Sequence, residues 1–96
     1  MADKLTQEER IVALAKLPEW KMVEDRDAII RQFKFPNFNA AFAFMTKVAM
    51  LAEKIAHHPE WSNVYNRVEV ILTTHDAKGI TALDVKMAEF MDANAA

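Results

Sequence analysis

Three histidines, at positions 57, 58 and 75, are the side chains of this chain best suited to chemistry. Imidazole is the only side chain that gives and accepts protons near neutral pH without a strongly unusual environment. Converging imidazoles would therefore suit general acid and base catalysis. Glu53 lies four residues before His57, about one helical turn away, and a helix C-terminus carries partial negative charge, so both features would favour the protonated form of His57. The spacing predicts a proton-transfer site without distinguishing its acid from its base.

The same residues admit two other interpretations. His57 and His58 could simply cap carbonyl groups at the end of a helix. Glu53, His57 and His75 could form an open three-ligand metal site, but adjacent helical residues point about 100° apart, so the two neighbouring histidines would not easily share one ion. The sequence has no recognised zinc-binding spacing and no cysteine. We therefore expect no metal.

Length and charge limit the remaining possibilities. The 96 residues predict a single domain over 1–96. Twelve basic and fourteen acidic residues give a net charge of −2, which disfavours direct nucleic-acid binding. There is no leader-like N-terminus and no uninterrupted apolar stretch long enough to span a membrane, so we expect a cytoplasmic protein without membrane contact.

Capping residues and prolines mark the elements that must position the histidines. The capping box from Thr6 to Glu9 predicts a helix over 7–16, which ends before Pro18. Alternation from Trp20 to Val23, a polar break at 24–27 and extended sequence over 28–35 predict a β-hairpin. In its second arm Arg31 interrupts an otherwise apolar side. The longest helix is predicted to begin at Ala40 and to end near His57 or His58, because Pro59 disfavours helical geometry before it.

The second half of the chain repeats the pattern of strands followed by a helix. Alternation over 63–74 predicts a second strand pair, or one long bent strand, with Val64, Val68, Val70 and Leu72 on one face. A loop over 75–79 precedes Thr81-x-x-Asp84, which predicts the cap of the last helix. The order α-β-β-α-β-β-α predicts an α+β fold, in which a four-stranded antiparallel sheet has its helices packed on one face.

The segment from Glu53 to Val68, with the sequence EKIAHHPEWSNVYNRV, closely resembles the signature of the pterin-4a-carbinolamine dehydratase family. Thr74-His75 stands where the family has a later Thr-His motif. The likeness continues through Gly79 to Asp84 and also covers 38–45. In all, the resemblance runs from about Trp20 to Phe90. The combined motif is specific, whereas His-His-Pro alone would be weak.

The resemblance implies an enzyme that dehydrates 4a-hydroxytetrahydropterin to quinonoid dihydropterin, and so recycles the pterin of an aromatic amino acid hydroxylase. No metal or organic cofactor is implied. By the same resemblance His57 and His75 transfer protons, and Glu53 orients or charges an imidazole. Four residues are expected to bind or surround the pterin: His58, Pro59, Trp61 and Asp84. For the last two, a core position and a helix cap are the competing interpretations.

The family resemblance also implies a homodimer or homotetramer. A different class of function is possible on the same fold, because animal members of the family act as dimerisation cofactors of a homeodomain transcription factor. An exposed apolar helix face would serve self-association and a foreign partner equally well. The complete set of histidines favours catalysis over a purely structural role.

Overall fold

The helices and strands follow the predicted order in a computed structural model that describes residues 2–95. They are α1 (Gln7–Ala15), β1 (Lys21–Met22), β2 (Ile29–Lys34), α2 (Phe38–Lys54), β3 (Glu60–Val64), β4 (Arg67–Leu72) and α3 (Ala82–Asn94), with one 3₁₀ turn at His75–Ala77. The α+β class is confirmed. In the described part of the chain no helix has both the length and the apolar character needed to cross a bilayer.

The strands form one antiparallel sheet in the order β1-β2-β4-β3. One face, which includes Phe33 of β2 and Val68 and Val70 of β4, is buried against apolar residues of α2 and α3. The other face carries exposed polar side chains such as Gln32 and Glu69. The helices therefore cover a single face, as the alternating pattern requires.

The second strand pair is a hairpin, and this changes one predicted position. Val64 pairs with Arg67 across a two-residue turn at Tyr65 and Asn66, where Tyr65 has a φ of 51°. Paired residues share a face, so Val64 lies on the polar side with Arg67 and is 60% exposed. Its assignment to the buried face with Val68 was wrong, because the turn breaks the alternation between the two strands.

The charged interruption in β2 is accommodated at the edge of the core. Arg31 faces the helices and its guanidinium lies 4.2 Å from the centroid of the Phe33 ring. Its Nη1 donates to Asp92 Oδ1 of α3 at 2.6 Å, and the Trp20 indole N–H donates to the same oxygen at 2.9 Å. A buried charge is tolerated when it is paired and hydrogen-bonded, so Arg31 does not disturb the register.

Helix α2 ends earlier than the sequence predicted. It begins at Phe38, two residues before the expected start, and its last residue is Lys54, three residues before His57. Ala56 then adopts a left-handed φ of 52°. The His57 N–H donates to the Ala52 carbonyl and the Ala56 N–H to the Glu53 carbonyl, which is the Schellman pattern of helix termination. The left-handed residue turns the chain away from the helix axis just before the two histidines.

The strand register brings several loops to one end of the sheet. Ile29 of β2 lies opposite Leu72 of β4, and Glu60 of β3 lies opposite Ile71, so the β1–β2 turn, the start of β3 and the end of β4 are neighbours. Arg26 in the turn makes two hydrogen bonds to the Glu60 carboxylate, at 2.9 and 2.8 Å. This ion pair joins the first hairpin to the second across the end of the sheet.

Replacing Ala56 by glycine should stabilise the protein. A left-handed backbone costs a non-glycine residue about 1–2 kcal/mol, part of which is offset because glycine is more flexible when unfolded. We expect Ala56→Gly to raise the free energy of unfolding by about 0.5–1 kcal/mol, measured by urea denaturation. The matched control is Ala49→Gly at an exposed position inside α2, which should lose about 1 kcal/mol. Destabilisation by both substitutions would contradict the role of the left-handed turn.

The Arg26–Glu60 pair should contribute stability only while Glu60 is ionised. Hydrogen bonds from Arg26 and then from His75 lower the pKa of Glu60 from 4.5 to about 2. A lowered folded-state pKa stabilises the fold above the unfolded value and loses this contribution as the pH falls through the folded value. Both side chains are partly exposed, so we expect the free energy of unfolding of wild type to exceed that of Glu60→Gln by under about 1 kcal/mol near neutral pH. In urea titrations the difference should shrink below about pH 4.5; a constant difference down to the lowest pH of reversible unfolding would refute this assignment.

Candidate active site

All three histidines line one cavity of about 710 Å³ at the end of the sheet described above. His57 and His58 reach it from the segment after α2, and His75 reaches it from the 3₁₀ turn after β4. Pro59 and Thr74 contribute to the same wall. The structure thus brings together four of the seven predicted site residues from segments that are distant in the sequence.

His57 is buried and is held by Asp84 from the first turn of α3. The distance between His57 Nε2 and Asp84 Oδ1 is 2.5 Å, and the Asp84 side chain is completely buried. Because a carboxylate can only accept, the proton in this contact belongs to Nε2 of the imidazole. The other ring nitrogen, Nδ1, is then the one available to a ligand.

The remaining oxygen of Asp84 is satisfied by the loop that carries His75. Asp84 Oδ2 accepts from the Thr74 hydroxyl at 2.7 Å and from the Thr81 N–H at 2.9 Å. The Thr81 hydroxyl lies 2.8 Å from the Thr74 oxygen and also accepts the Leu83 N–H. Since Thr74 has given its only hydroxyl proton to Asp84, Thr81 is the donor of the pair. This network makes Asp84 at once the helix cap that the sequence predicted and the partner of His57.

His75 has the opposite environment, because its side chain is 78% exposed. Its Nε2 lies 3.1 Å from Glu60 Oε2, the oxygen that also accepts from Arg26 Nη2 at 2.8 Å. With the pKa of Glu60 lowered to about 2, its carboxylate is ionised near neutral pH and accepts from both Arg26 and His75. With Nε2 engaged by Glu60, Nδ1 of His75 makes no hydrogen bond within residues 2–95, as is true of Nδ1 of His57.

The loop that carries His75 is fixed at its base by Asp27. The Asp27 carbonyl accepts from the Thr73 hydroxyl at 2.9 Å, and its carboxylate pairs with Lys4 at 3.3 Å and Arg10 at 3.2 Å. A Cβ on Gly79 would lie 2.4 Å from Asp27 Oδ2, so any larger residue would require the Asp27 side chain to shift. The single glycine of the chain thus permits a close approach between this loop and the β1–β2 turn.

Glu53 does not contact His57, which corrects the helical spacing used to pair them. The helix ends between the two residues, and Glu53 Oε1 instead lies 3.4 Å from Nε2 of His58. Both partners are exposed, with 86% of Glu53 and 67% of His58 accessible, so this contact is loose. The expected one-turn geometry fails because Ala56 is left-handed.

Trp61 and Asp84 do not reach the cavity in the way that the sequence predicted. Trp61 lies on the helix-covered face of β3, opposite Val70, where it packs partly buried against the core. Asp84 is wholly buried behind His57 and has no surface for a ligand to touch. Its connection with the cavity runs through the imidazole.

The possible metal site is not assembled. Among residues 2–95, no three side chains of histidine, aspartate or glutamate converge so that they could hold one ion. Each histidine instead has one carboxylate partner, and each of these pairs is separate.

Three side chains of the site carried no role in the sequence prediction. Glu60 stood inside the family signature, Arg26 was part of a polar break, and Thr74 was noted only as the neighbour of His75. Arg26 and Glu60 are 34 residues apart, and no spacing rule connects residues at that separation. Only the strand register places them together.

Comparison with known proteins identifies the family of this chain. The sequence model of the family described as Pterin 4 alpha carbinolamine dehydratase matches residues 3–94. Two relatives carry the name of a pterin-4-alpha-carbinolamine dehydratase. That from Bordetella avium is 56% identical over all of this chain and 89% of its own length, and that from Rhizorhabdus wittichii is 60% identical over 95% of this chain and 94% of its own.

A solved structure is also similar. The crystal structure of a transcriptional coactivator/pterin dehydratase from Brucella melitensis superposes with a TM-score of 0.95 at 51% identity, and covers 98% of this chain and all of that chain. With the fold, the signature segment and the family match in agreement, this chain belongs to the pterin 4 alpha carbinolamine dehydratase family.

Proposed function

We propose that this protein is a 4a-hydroxytetrahydropterin dehydratase that works by histidine acid and base catalysis. The observation that carries the proposal is the pairing of His57 and His75 in one cavity, each with its own carboxylate on Nε2. This pairing leaves two Nδ1 atoms for proton transfer at one site. The relatives named above are dehydratases of the same pterin by name, which supports the choice of substrate.

The reaction cleaves one carbon–oxygen bond with the help of two proton transfers. The N5 lone pair of the pterin expels the C4a hydroxyl, so the bond between C4a and oxygen breaks while a donor protonates the departing oxygen. A base accepts a proton from the ring, and the products are water and quinonoid dihydropterin. No electrons are exchanged with a second reactant, so the reaction itself requires no redox cofactor.

The geometry supports a division of labour among the site residues. His57 and His75 are the proton-transfer groups, and Asp84 is a positioning residue that holds His57 rather than a binding residue. His58 and Pro59 bound the cavity beside them, and Glu53 makes only a long contact with His58. A wall formed by Trp61 is not part of the proposal, since that residue packs against the core.

The proposed setting is the cytoplasm, where an aromatic amino acid hydroxylase would supply the hydroxylated pterin. The resemblance to the family implies this supply, because the family recycles the pterin cofactor spent by such a hydroxylase. The quinonoid product is then available for reduction.

Dehydration of freshly generated 4a-hydroxytetrahydropterin, followed by absorbance, tests the proposal. Wild type should accelerate the reaction, and His57→Ala and His75→Ala should each lower kcat by about 100-fold, the lower range for loss of an acid or base. His75 is exposed, so its variant should fold normally. Removal of His57 leaves Asp84 buried without its partner, at a cost of about 3 kcal/mol or more, so His57→Gln is included as the variant that retains a polar contact.

The matched control is Glu19→Ala, an exposed substitution after α1 that should leave the rate unchanged. A chelator should have no effect. Folded wild type, verified by circular dichroism, that gave no acceleration over buffer would reject the enzyme proposal and favour an interaction module.

A second proposal concerns assembly, and a patch on α2 favours it. Phe38 and Phe42 are 49% and 56% exposed with ring centroids 5.8 Å apart, and Met50 on the same helix is 71% exposed. Large apolar side chains grouped in this way mark contact surfaces. We propose that the patch mediates a homodimer or homotetramer; the Brucella protein is named a coactivator as well as a dehydratase, so a foreign partner is the alternative occupant.

Analytical ultracentrifugation of wild type and Phe42→Glu tests the assembly proposal. Wild type should sediment as a dimer or tetramer, and the variant should shift toward monomer because the new charge cannot be desolvated cheaply. Lys47→Glu, an exposed charge reversal on the same helix, controls for a general charge effect. Monomeric wild type at every concentration would contradict self-association through this surface.

A further inference from the structure

We propose that Glu60, held by Arg26, is the positioning residue for His75. The inference rests on the proposed function, because Glu60 is assigned to position His75, which the proposed function makes a proton-transfer group. It adds a residue to the site that the sequence left without a role, and a second residue, Arg26, that lies outside the signature segment.

The need for such a residue follows from exposure. His75 occupies a 3₁₀ turn of three residues with 78% of its side chain accessible, so packing does not fix its ring. A proton donor or acceptor must lie within hydrogen-bonding distance of the reacting atom, and a loose ring would spend little time there. Within residues 2–95, the His75 ring makes one hydrogen bond, from Nε2 to Glu60 Oε2 at 3.1 Å.

Glu60 is itself fixed from two directions. It is the first residue of β3, and its backbone position is set by pairing with Ile71. Its carboxylate receives both Nη atoms of Arg26, at 2.9 and 2.8 Å, and two parallel bonds fix the plane of a carboxylate as one bond does not. Because the strand and the bidentate pair fix the Glu60 carboxylate, its hydrogen bond restricts the exposed His75 ring.

The arrangement also selects which nitrogen of His75 faces the substrate. Other ionisable side chains around the cavity are His57, His58 and Asp76, and none of them makes a hydrogen bond to His75 in the described part of the chain. Glu60 alone therefore retains the proton on Nε2 and leaves Nδ1 for the reaction. Asp84 makes the equivalent contact to Nε2 of His57, but Asp84 is buried whereas Glu60 lies at the surface.

Kinetics of Glu60 and Arg26 variants provide the first test. Glu60→Ala should lower kcat by about three- to tenfold with little change in KM, because the ring is misplaced while the binding walls remain. Glu60→Gln should have a smaller effect, since an amide oxygen still accepts from Nε2, and Arg26→Gln should fall between wild type and Glu60→Ala. The matched control, Glu69→Ala, removes an exposed carboxylate from the same sheet face and should have no effect.

A double-mutant cycle separates a positioning role from a general structural one. If Glu60 acts through His75, Glu60→Ala should add nothing to the loss already caused by His75→Ala. Multiplication of the two losses would overturn the proposal while leaving the dehydratase function intact. Full activity of Glu60→Ala would overturn it in the same way.

Ring mobility gives a readout that does not depend on turnover. ¹³C relaxation of the histidine ring Cε1–H bonds should show His75 ordered in wild type and mobile in Glu60→Ala and Arg26→Gln, with the buried His57 ring unchanged in all three. Equal mobility of His75 in wild type and Glu60→Ala would refute the positioning role even if the protein proved inactive toward pterins. Ordered His75 in an inactive wild type would instead reject the enzyme function and retain the structural inference.

Discussion

The contact between His57 and Asp84 is the interaction on which both the fold and the site depend. Asp84 is a wholly buried carboxyl group, and such a group is tolerated only when its oxygens are paired. One oxygen faces His57, and the other accepts from Thr74 and from the backbone of Thr81. The end of α2, the end of β4 and the start of α3 therefore meet at a single side chain. Any change that separates these three segments leaves the Asp84 carboxyl group in the core without partners. The packing of the helices on the sheet and the geometry of the site therefore depend on the same contacts.

The two histidines proposed for proton transfer are held in place in different solvent environments. His57 is ordered by burial, and the low local dielectric strengthens its hydrogen bond to Asp84. His75 is exposed, where a single hydrogen bond to a carboxylate contributes little, and in the proposed arrangement Arg26 compensates by fixing the Glu60 carboxylate. A buried partner and a clamped surface partner thus give both rings a proton on Nε2. One ring is held by the core and the other by surface electrostatics, which means that ionic conditions act on them unequally.

Much of this architecture could be predicted from local sequence, because local rules determine it. Capping boxes at Thr6 and Thr81 and the prolines fixed the starts and stops of helices to within a few residues. The face of Val64 could not be predicted, since a two-residue turn changes which side of the sheet the alternation refers to. The termination of α2 was also missed, because an alanine in a left-handed conformation has no sequence signal of the kind that glycine provides. That one residue invalidated the pairing of Glu53 with His57.

The carboxylate partners of the histidines lay beyond local rules for a further reason. Asp84 was recognised as a cap and as a family site residue, but its contact with His57 joins two segments 27 residues apart. Glu60 is only two residues from His58, yet it serves His75, which is 15 residues away. Adjacent positions in a strand point to opposite faces, so proximity in sequence says little about which ring a carboxylate reaches. Such pairings become visible only once the register of the sheet is known.

The register also explains how so small a chain can build this site. Glu60 pairs with Ile71, and the buried neighbours Val70 and Leu72 point to the helices, so Glu60 lies on the open face of the sheet. Asp84 lies in the helix layer on the other side. The two carboxylates therefore approach the end of the sheet from opposite faces, and the histidines that they hold meet between them in one cavity. Side chains from both faces can meet at the end of a sheet, because the faces and the loops converge there. Groups of a site can therefore be held by elements that also form the core.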